Sequence, residues 1–154
     1  MKFIGIDPGK SGSLSIIDRN KLTVIPVPLL NDDYDIKGMY NILLENKKNS
    51  FAVLERAQAM PGQGVVSMFN FGKGYGFWIM ALTIAEIPFQ IIHSRTWTKE
   101  MLLGASGEGK DRAVSVASNL FPSWKPSKKK ELEYADSILL AEYARRRSGN
   151  EDKK

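Results

Sequence analysis

The chain has 154 residues, 43% of them apolar and 25% charged, a composition that fits one folded domain and excludes an intrinsically disordered chain. It has no cysteine, which excludes a disulfide framework and a thiolate zinc site; we expect a cytoplasmic location and no secretory signal. The formal net charge of +5 favours a polyanionic partner such as nucleic acid, and no apolar run is long enough for a transmembrane helix.

Short strands open the chain and alternate later with helices. Turn-forming residues separate the first three predicted strands, Lys2–Ile6, Ser13–Ile17 and Leu22–Val27, which favours an antiparallel arrangement. Apolar residues at helical spacing follow Asp35, and "SFAVLE" at Ser50–Glu55 has the composition of a buried strand. The remaining predicted elements are a helix over residues 65–85, a strand over 89–93, a helix capped by Ser94 that extends to 103, and helices over 110–120 and 131–146.

This order of elements predicts an α/β fold. Parallel strands joined by a helix cross over right-handedly, and their sheets carry helices on both faces. We therefore expect a mixed five-stranded sheet, with three antiparallel strands and then two parallel strands, flanked by helices. Residues 1–147 are expected to form one domain, and residues 148–154 a polar C-terminal tail.

Two carboxylates stand where predicted strands end. Asp7 follows the first strand, and Glu55 ends the fourth. If these strands are parallel neighbours, both side chains emerge at the carboxyl edge of the sheet, where open α/β sheets bind their ligands. The alternatives are a turn residue for Asp7 and an ion-pair partner of Arg56 or a lysine for Glu55. His93, the only histidine, ends the fifth strand and is expected to be a partnered polar residue rather than a catalytic base.

The last predicted helix carries two more acids beside its apolar side. Glu133 and Asp136 are three residues apart, which places them on the same side of a helix. Two neighbouring carboxylates repel each other unless a cation lies between them, and oxygen ligands suit magnesium or manganese. The alternative for Glu133 is a first-turn acid that stabilises the helix dipole. The apolar stripe beside the acids consists of Leu132, Ala135, Leu139 and Tyr143.

An ordered set of motifs resembles the RuvC family of Holliday-junction resolvases. The matching stretches are "GIDPGKSG", "AVLERAQAMPGQG", "FNFGKGYGFWIMA", "GEGKDRAV" and "ELEYADSILLAEYA", and together they extend over residues 1–147. The short chain and the basic "KPSKKK" look like the bacteriophage members of that family. The resemblance implies a ribonuclease H-like fold, a homodimer, and magnesium-dependent, paired nicking of four-way DNA junctions.

The resemblance also implies a site. Matched motif by motif, Asp7, Glu55, Glu133 and Asp136 would be the ligands of two Mg²⁺ ions, with Mn²⁺ as a substitute. Lys110, in "GKDRA", matches a basic residue near the family's active site and would stabilise charge at the cleaved phosphate; the alternative is a solvated lysine at a helix start. Many bacterial relatives have aspartate or histidine in place of Glu133, a departure that bears on metal preference.

Basic and aromatic side chains are the candidates for DNA contact. Lysines contact phosphates and give affinity without reading base sequence. An aromatic residue that many relatives carry is absent from "ERAQAM", and Met60, Phe69 or Phe71 would replace it at the junction centre. Gly72 and Gly76 would permit a second copy to approach closely at a dimer interface; the alternative is local flexibility. The predicted DNA-contacting residues are Lys10, Lys73, Phe69, Phe71, Lys125, Lys128, Lys129 and Lys130.

Three other functions stay open on the sequence. A nuclease for a broader range of branched DNA, such as flaps, three-way junctions or replication forks, would carry the same motifs. An actin-like phosphotransferase also begins with a strand and a glycine turn, but it needs a second nucleotide-binding domain, for which 154 residues are too few. We therefore expect no nucleotide cofactor. The third alternative is a protein that binds junctions without cutting them.

Overall fold

A computed structural model describes residues 1–59 and 61–151, without the side chains of residues 150 and 151. Seven strands and five α-helices are found in this part of the chain, with a short 3₁₀-helix before the last α-helix. The strands are β1 (Lys2–Ile6), β2 (Ser13–Asp18), β3 (Lys21–Pro26), β4 (Leu29–Leu30), β5 (Asp33–Tyr34), β6 (Ser50–Glu55) and β7 (Phe89–Ile92). The helices are α1 (Ile36–Asn46), α2 (Val65–Ile84), α3 (Ser94–Met101), α4 (Gly109–Leu120), the 3₁₀-helix (Lys129–Tyr134) and α5 (Ala135–Glu151).

The main sheet has five strands in the order β3-β2-β1-β6-β7. The pairs β3–β2 and β2–β1 are antiparallel, whereas β1–β6 and β6–β7 are parallel. The predicted α/β fold with a mixed five-stranded sheet is therefore confirmed. Strand β3 lies at an edge, and it ends at Pro26, a residue that cannot donate a ladder hydrogen bond.

Two apolar cores lie on opposite faces of this sheet. Successive side chains of a strand point to opposite faces, so Ile4 and Ile6 of β1 face one core and Phe3 faces the other. Helices α1 and α2 cover the Ile4 face through residues such as Met39 and Trp78. Helices α3, α4 and α5 cover the Phe3 face.

Helix α5 crosses the sheet in direct backbone contact with β1. A Cβ atom at Gly5 would overlap the backbone of Ser137 and Ala141, so only glycine fits at this crossing. A buried chain of hydroxyls fixes the same place: Ser137 Oγ lies 2.6 Å from both Ser13 Oγ and Ser15 Oγ of β2. The start of α5 is therefore held close to the carboxyl end of β1.

Several boundaries differ from the sequence prediction. Strands β4 and β5 form a two-stranded hairpin that was not predicted, because each contributes only two residues. The predicted 131–146 helix is a 3₁₀-helix followed by α5, which continues to Glu151. Helix α3 ends at Met101, and its N-cap is His93 rather than Ser94, which is already helical. Met60 and the end of the predicted tail, residues 152–154, lie outside the described residues. None of the helices in residues 1–59 and 61–151 combines the length and apolarity that a bilayer crossing requires.

Candidate active site

The two strand-end acids lie side by side. Strands β1 and β6 are parallel neighbours, and their last paired residues are Ile6 and Leu54. Asp7 and Glu55 each follow that pair by one residue. Because Ile6 and Leu54 both face the α1–α2 side, the alternation of a strand directs Asp7 and Glu55 to the opposite side, toward α5.

The turn after β1 is closed tightly around Asp7. The Gly9 amide donates to Asp7 Oδ1 at 3.4 Å, and the Gly12 amide donates to the Gly9 carbonyl at 2.9 Å. A Cβ atom at Gly12 would overlap the backbone and carboxyl group of Asp7. The Asp7 amide in turn donates to the Ser13 carbonyl at 3.0 Å, which ties the turn to β2. The glycine-rich sequence after β1 is thus what allows the chain to wrap around the carboxylate.

Lys110 lies between the two helix acids. Its Nζ is 2.9 Å from Glu133 Oε2 and 3.0 Å from Asp136 Oδ2. The lysine comes from the first turn of α4, Glu133 from the 3₁₀-helix and Asp136 from the first turn of α5. Lys110 is therefore not a free, solvated lysine, and its ammonium group supplies the cation that two neighbouring carboxylates need.

Glu55 has a partner that sequence reasoning did not find. Nε1 of the buried Trp97 donates to Glu55 Oε2 at 2.7 Å. Trp97 belongs to α3, and it lines a groove of about 260 Å³ together with Glu55, Lys110 and Asp136. This groove brings an acid from β6 and an acid from α5 to the same opening. A lone tryptophan in a short amphipathic helix carries no sequence signal for such a role.

Burial raises the pKa of three acids of the site, Asp7, Glu55 and Asp136. Burial, and then the charge of Asp136, raise the pKa of Asp7 to about 6 against the lowering by the Gly9 amide. Burial raises the pKa of Glu55 to about 7, even though the Trp97 hydrogen bond lowers it. Burial also raises the pKa of Asp136, despite the nearby Lys110 charge. Burial lowers the pKa of Lys110, but the contacts with Glu133 and Asp136 outweigh this effect, so the pKa of Lys110 is raised overall. One ammonium group does not compensate all four acids.

The donor set fits a divalent cation by its chemistry. The four carboxylates, two at the ends of neighbouring strands, one from the 3₁₀-helix and one from the first turn of α5, supply the oxygen ligands that Mg²⁺ and Mn²⁺ prefer. In residues 1–59 and 61–151, no three acidic or histidine side chains stand close enough to hold one ion between them. The four acids are neighbours coupled by charge, and Lys110 occupies the space between Glu133 and Asp136.

The fold is that of RuvC. The chain matches the structure described as T. thermophilus RuvC in complex with Holliday junction substrate, with 17% identity and a TM-score of 0.63 over 97% of this chain and 96% of that chain. A second Thermus thermophilus RuvC structure matches with 17% identity and a TM-score of 0.62 over 97% of each chain. No protein-family model and no curated protein sequence matches the chain.

Two of the predicted DNA-contacting lysines are held beside the site by one acid. Lys73 Nζ lies 2.7 Å from Asp33 Oδ1, and Lys10 Nζ lies 3.8 Å from the same atom. Both ammonium groups also lie within 6 Å of the Tyr34 ring, at 5.7 Å and 5.9 Å from its centroid. The hydrogen bond from Lys73 holds the pKa of Asp33 below its usual value. This arrangement depends on the unpredicted β4–β5 hairpin, which carries Asp33 and Tyr34.

The other four lysines are exposed around the start of the 3₁₀-helix. The backbone amides of Ser127 and Lys128 donate to Glu131 Oε2, and this cap fixes the segment that leads to Glu133. The basic segment is therefore continuous with one of the site acids. These four lysines are Lys125, Lys128, Lys129 and Lys130. In contrast to Lys10 and Lys73, they form no ion pair within the described part of the chain.

The two candidate aromatic residues have different environments. Phe69 is 69% exposed on the outer side of α2. Phe71 is half-buried, lies near Gly9, and lines the grooves on both sides of it, one containing Asp7 and the other Glu55. Of these two candidates, Phe71 therefore borders the site acids, whereas Phe69 lies beside Lys73. Gly72 and Gly76 face open space on the exposed side of α2, and Gly74, against which Tyr34 packs, is the glycine of this helix that a side chain would disrupt.

Proposed function

We propose that this chain is a structure-selective endonuclease that resolves four-way DNA junctions by metal-dependent phosphodiester hydrolysis with paired nicks. The observation that carries the proposal is the approach of Asp7 and Glu55, at the ends of neighbouring parallel strands, to Asp136 at the start of α5 and Glu133 in the 3₁₀-helix before it. This convergence occurs in a chain with the fold of RuvC, one of whose structures is described as a complex with Holliday junction substrate.

Asp7, Glu55, Glu133 and Asp136 would hold the Mg²⁺ or Mn²⁺ ions. When bound, two such ions lower the pKa of a water molecule and neutralise the oxygen that leaves phosphorus. The protein's own contribution is to keep four carboxylates together against their mutual repulsion, by the Gly9–Gly12 turn at Asp7 and the Trp97 hydrogen bond at Glu55. Lys110 is placed to exchange its carboxylate partners for a phosphate oxygen, because it is a compact charge on a flexible stem.

DNA affinity would come from the lysines on two sides of this site. Lys10 and Lys73 lie beside the Asp7 turn, and the exposed lysines at residues 125–130 lead into the Glu133 segment. Contacts of this kind neutralise phosphates and release counterions, so binding depends on salt rather than on sequence. Phe71, which borders both Asp7 and Glu55, would lie against the bases at the crossover.

Paired nicks require two active sites, and the exposed side of α2 supports a homodimer. Apolar and small residues recur every three or four positions along the exposed side of α2. Exposed apolar patches of this kind mark surfaces at which proteins associate. Gly72 and Gly76 leave room for close approach at the centre of this stripe. We call it the α2 stripe; it consists of Val65, Phe69, Gly72, Gly76, Met80 and Thr83.

The decisive experiment is cleavage of labelled four-way junctions by purified protein. Cutting with Mg²⁺ or Mn²⁺, no cutting in EDTA, and binding without efficient cutting in Ca²⁺ are expected. Asp7→Asn and Asp136→Asn should each lower cleavage by orders of magnitude and leave junction binding intact, because the lysines are unchanged. Glu45→Gln, an exposed acid on α1, is the matched control. Full cleavage in EDTA would disprove the proposal.

A second candidate function is a nuclease for a broader range of branched DNA. The same four acids would serve this activity. Flaps, three-way junctions and four-way junctions at equal salt separate the two, and equal rates on all three favour the broader activity. Junction binding without cutting in any metal would instead indicate a binding protein.

A further inference from the structure

A groove of about 560 Å³ lies at the end of the sheet that is remote from the site acids. Phe3 stands four residues before Asp7 on β1, a span of about 13 Å at the rise of a strand. The functions proposed for the site acids use none of its side chains. We call it the Phe3 groove; its walls include Phe3, Phe51, Gln90, Arg145 and Arg147.

The floor of the Phe3 groove crosses the sheet toward an edge. Phe3 of β1 and Phe51 of β6 are paired neighbours, and both pack against the core under α5. Gln90 of β7 is exposed and lies on the same face, because it pairs with Val53, a residue of that core. The groove therefore runs across β1 and β6 to β7, the last strand of the sheet.

The outer edge of β7 offers backbone groups for hydrogen bonding. On its inner side, the Ala52 amide of β6 donates to the Pro88 carbonyl at 3.0 Å. Alternate residues of a parallel strand bond to the same neighbour, so the amides and carbonyls of Phe89 and Ile91 point away from β6. No backbone hydrogen bond from another described element reaches these two residues. An edge of this kind can pair with one more extended segment.

The groove has a small excess of positive charge on the side of α5. Nε of Arg145 lies 2.8 Å from Glu142 Oε2, and Nε of Arg146 lies 3.0 Å from Oε1 of the same buried carboxylate. Arg147 pairs with Glu100 of α3. Three guanidinium groups thus contact two carboxylates, which leaves one positive charge uncompensated in this cluster.

This charge and this floor suit one kind of anion. Among the described residues that line the groove, none is acidic. A guanidinium group binds a carboxylate through two parallel hydrogen bonds, and one excess charge matches one carboxylate rather than the several charges of a polyphosphate. The aromatic floor of Phe3 and Phe51 favours an apolar group attached to that carboxylate.

We propose that the Phe3 groove binds the C-terminus of a partner polypeptide. Its apolar last side chain would lie on Phe3 and Phe51, its terminal carboxylate would contact Arg145, and its preceding residues would pair with the edge of β7. The free edge at Phe89 and Ile91 is what favours a polypeptide over a small free acid, which has no backbone to pair. Because the groove is remote from the site acids, a partner bound there leaves the active site open. The proposal does not depend on the nuclease function.

The first test measures peptide binding without DNA. A fluorescein-labelled peptide rich in Thr and Val that ends in Phe with a free carboxylate is titrated with the full chain, and fluorescence anisotropy is recorded. Saturable binding is expected, and the same peptide with a C-terminal amide should bind about ten-fold more weakly or worse. Equal binding of acid and amide, or no saturable binding of either, would overturn the proposal. Displacement of the peptide by equimolar 3-phenylpropionate would overturn it in favour of a small-acid site.

Two arginines provide a matched pair of variants. Arg145 and Arg146 each contact Glu142, but only Arg145 lines the groove. Arg145→Gln should weaken binding of the free-carboxylate peptide about ten-fold, whereas Arg146→Gln should change it by less than about three-fold. Equal effects of the two variants would show that the cluster acts through stability or overall charge, and would overturn the assignment of the carboxylate to Arg145.

Hydrogen exchange tests the pairing with β7. When the peptide saturates the protein, exchange of the Phe89 and Ile91 amides should slow about ten-fold or more, because the peptide carbonyls accept from them. The Gln90 amide, which faces β6, should change little. Gln90→Glu should abolish peptide binding by placing a charge in the groove, and Thr23→Glu, at an exposed residue of the opposite edge strand β3, should not. Peptide binding without protection of Phe89 and Ile91, or binding unaffected by Gln90→Glu, would overturn the proposed pairing.

Discussion

Nε1 of Trp97 donates a 2.7 Å hydrogen bond to Oε2 of Glu55, and this indole is buried in the core that α3 helps to cover. A hydrogen bond of this kind favours the charged carboxylate, and it opposes the burial that raises the pKa of Glu55 to about 7. Trp97 is therefore placed to position Glu55 and to favour its ionised form.

Trp97→Phe tests this positioning role. Phenylalanine keeps most of the packing and removes the donor, so the pKa of Glu55 should rise further. Hydrogen bonds to charged groups are worth about 1.5–3 kcal/mol, so the pH at which Mn²⁺ binding is half-maximal should move upward by about one unit. Calorimetric titration with Mn²⁺ between pH 6 and 9 measures it. Trp124→Phe, on the same core, is the control; an unshifted profile in Trp97→Phe would contradict the role.

Removal of Lys110 should strengthen metal binding while it weakens cleavage. Its ammonium group lies between Glu133 and Asp136 and competes with any cation for the same oxygens. Lys110→Met should lower the Kd for Mn²⁺ several-fold at pH 8 and lower the cleavage rate at saturating metal about ten-fold or more. Lys37→Met, at an exposed lysine of α1 outside the site, should change neither value by much. Weaker Mn²⁺ binding in Lys110→Met would show that the lysine supports metal binding instead.

Asp7 should make stability depend on pH in the absence of metal. The folded protein holds the Asp7 proton up to a pH of about 6, whereas the unfolded chain releases it near 3.8. Stability should therefore fall as pH rises between these values and stay lower above them. Asp7→Asn should raise the free energy of unfolding in EDTA at pH 7.5 by up to about 3 kcal/mol, and by much less at pH 4. Urea unfolding at both pH values measures this, with Glu45→Gln as the control; equal effects at both pH values would argue against a raised pKa.

Asp33 should restrain the affinity for DNA. Its carboxylate neutralises Lys73 and lies near Lys10, so both lysines are partly paired before DNA arrives. Asp33→Asn should tighten junction binding several-fold and steepen the dependence of log K on log salt by about one. Fluorescence anisotropy from 50 to 300 mM salt is the measurement. Asp18→Asn, at the opposite end of the sheet, removes the same charge and should have little effect.

The α2 stripe should carry the homodimer. Met80→Glu places a charge in the stripe and should convert a dimer to a monomer in sedimentation experiments, with loss of paired nicks. Leu44→Glu is closely matched, because Leu44 of α1 is 42% exposed and Met80 is 44% exposed. A dimer that survives Met80→Glu, or dissociates equally with Leu44→Glu, would place the interface elsewhere.

The sequence predicted the sheet well because its signals are local and strong. Five short β-rich runs and their turns predicted the strands, and the alternation along β1 and β6 follows from the same residues. The prediction that Asp7 and Glu55 lie together depended on β1 and β6 being parallel neighbours, and the structure shows that they are. The β4–β5 hairpin was missed because two-residue strands carry no period.

The sequence singled out the acids of the candidate site but not the residues that contact them. Asp7, Glu55 and Asp136 stood out because a carboxylate at a buried position is unusual. Trp97 and Asp33 did not, since a core tryptophan and a loop aspartate are common and their contacts depend on tertiary structure. The position of Lys110 likewise depends on where α4 meets α5, which no local pattern encodes.

At Gly5, contact between backbone atoms alone fixes the distance between the end of β1 and the start of α5. With no side chain between β1 and α5, the distance from the end of the strand to the start of the helix is set by contact between main-chain atoms. Core substitutions that change side-chain volume can loosen either core without lengthening this span. Substitutions in the core should therefore leave the spacing of the site acids unchanged. A change in that spacing requires a change in β1, in the register of α5 or at Gly5 itself.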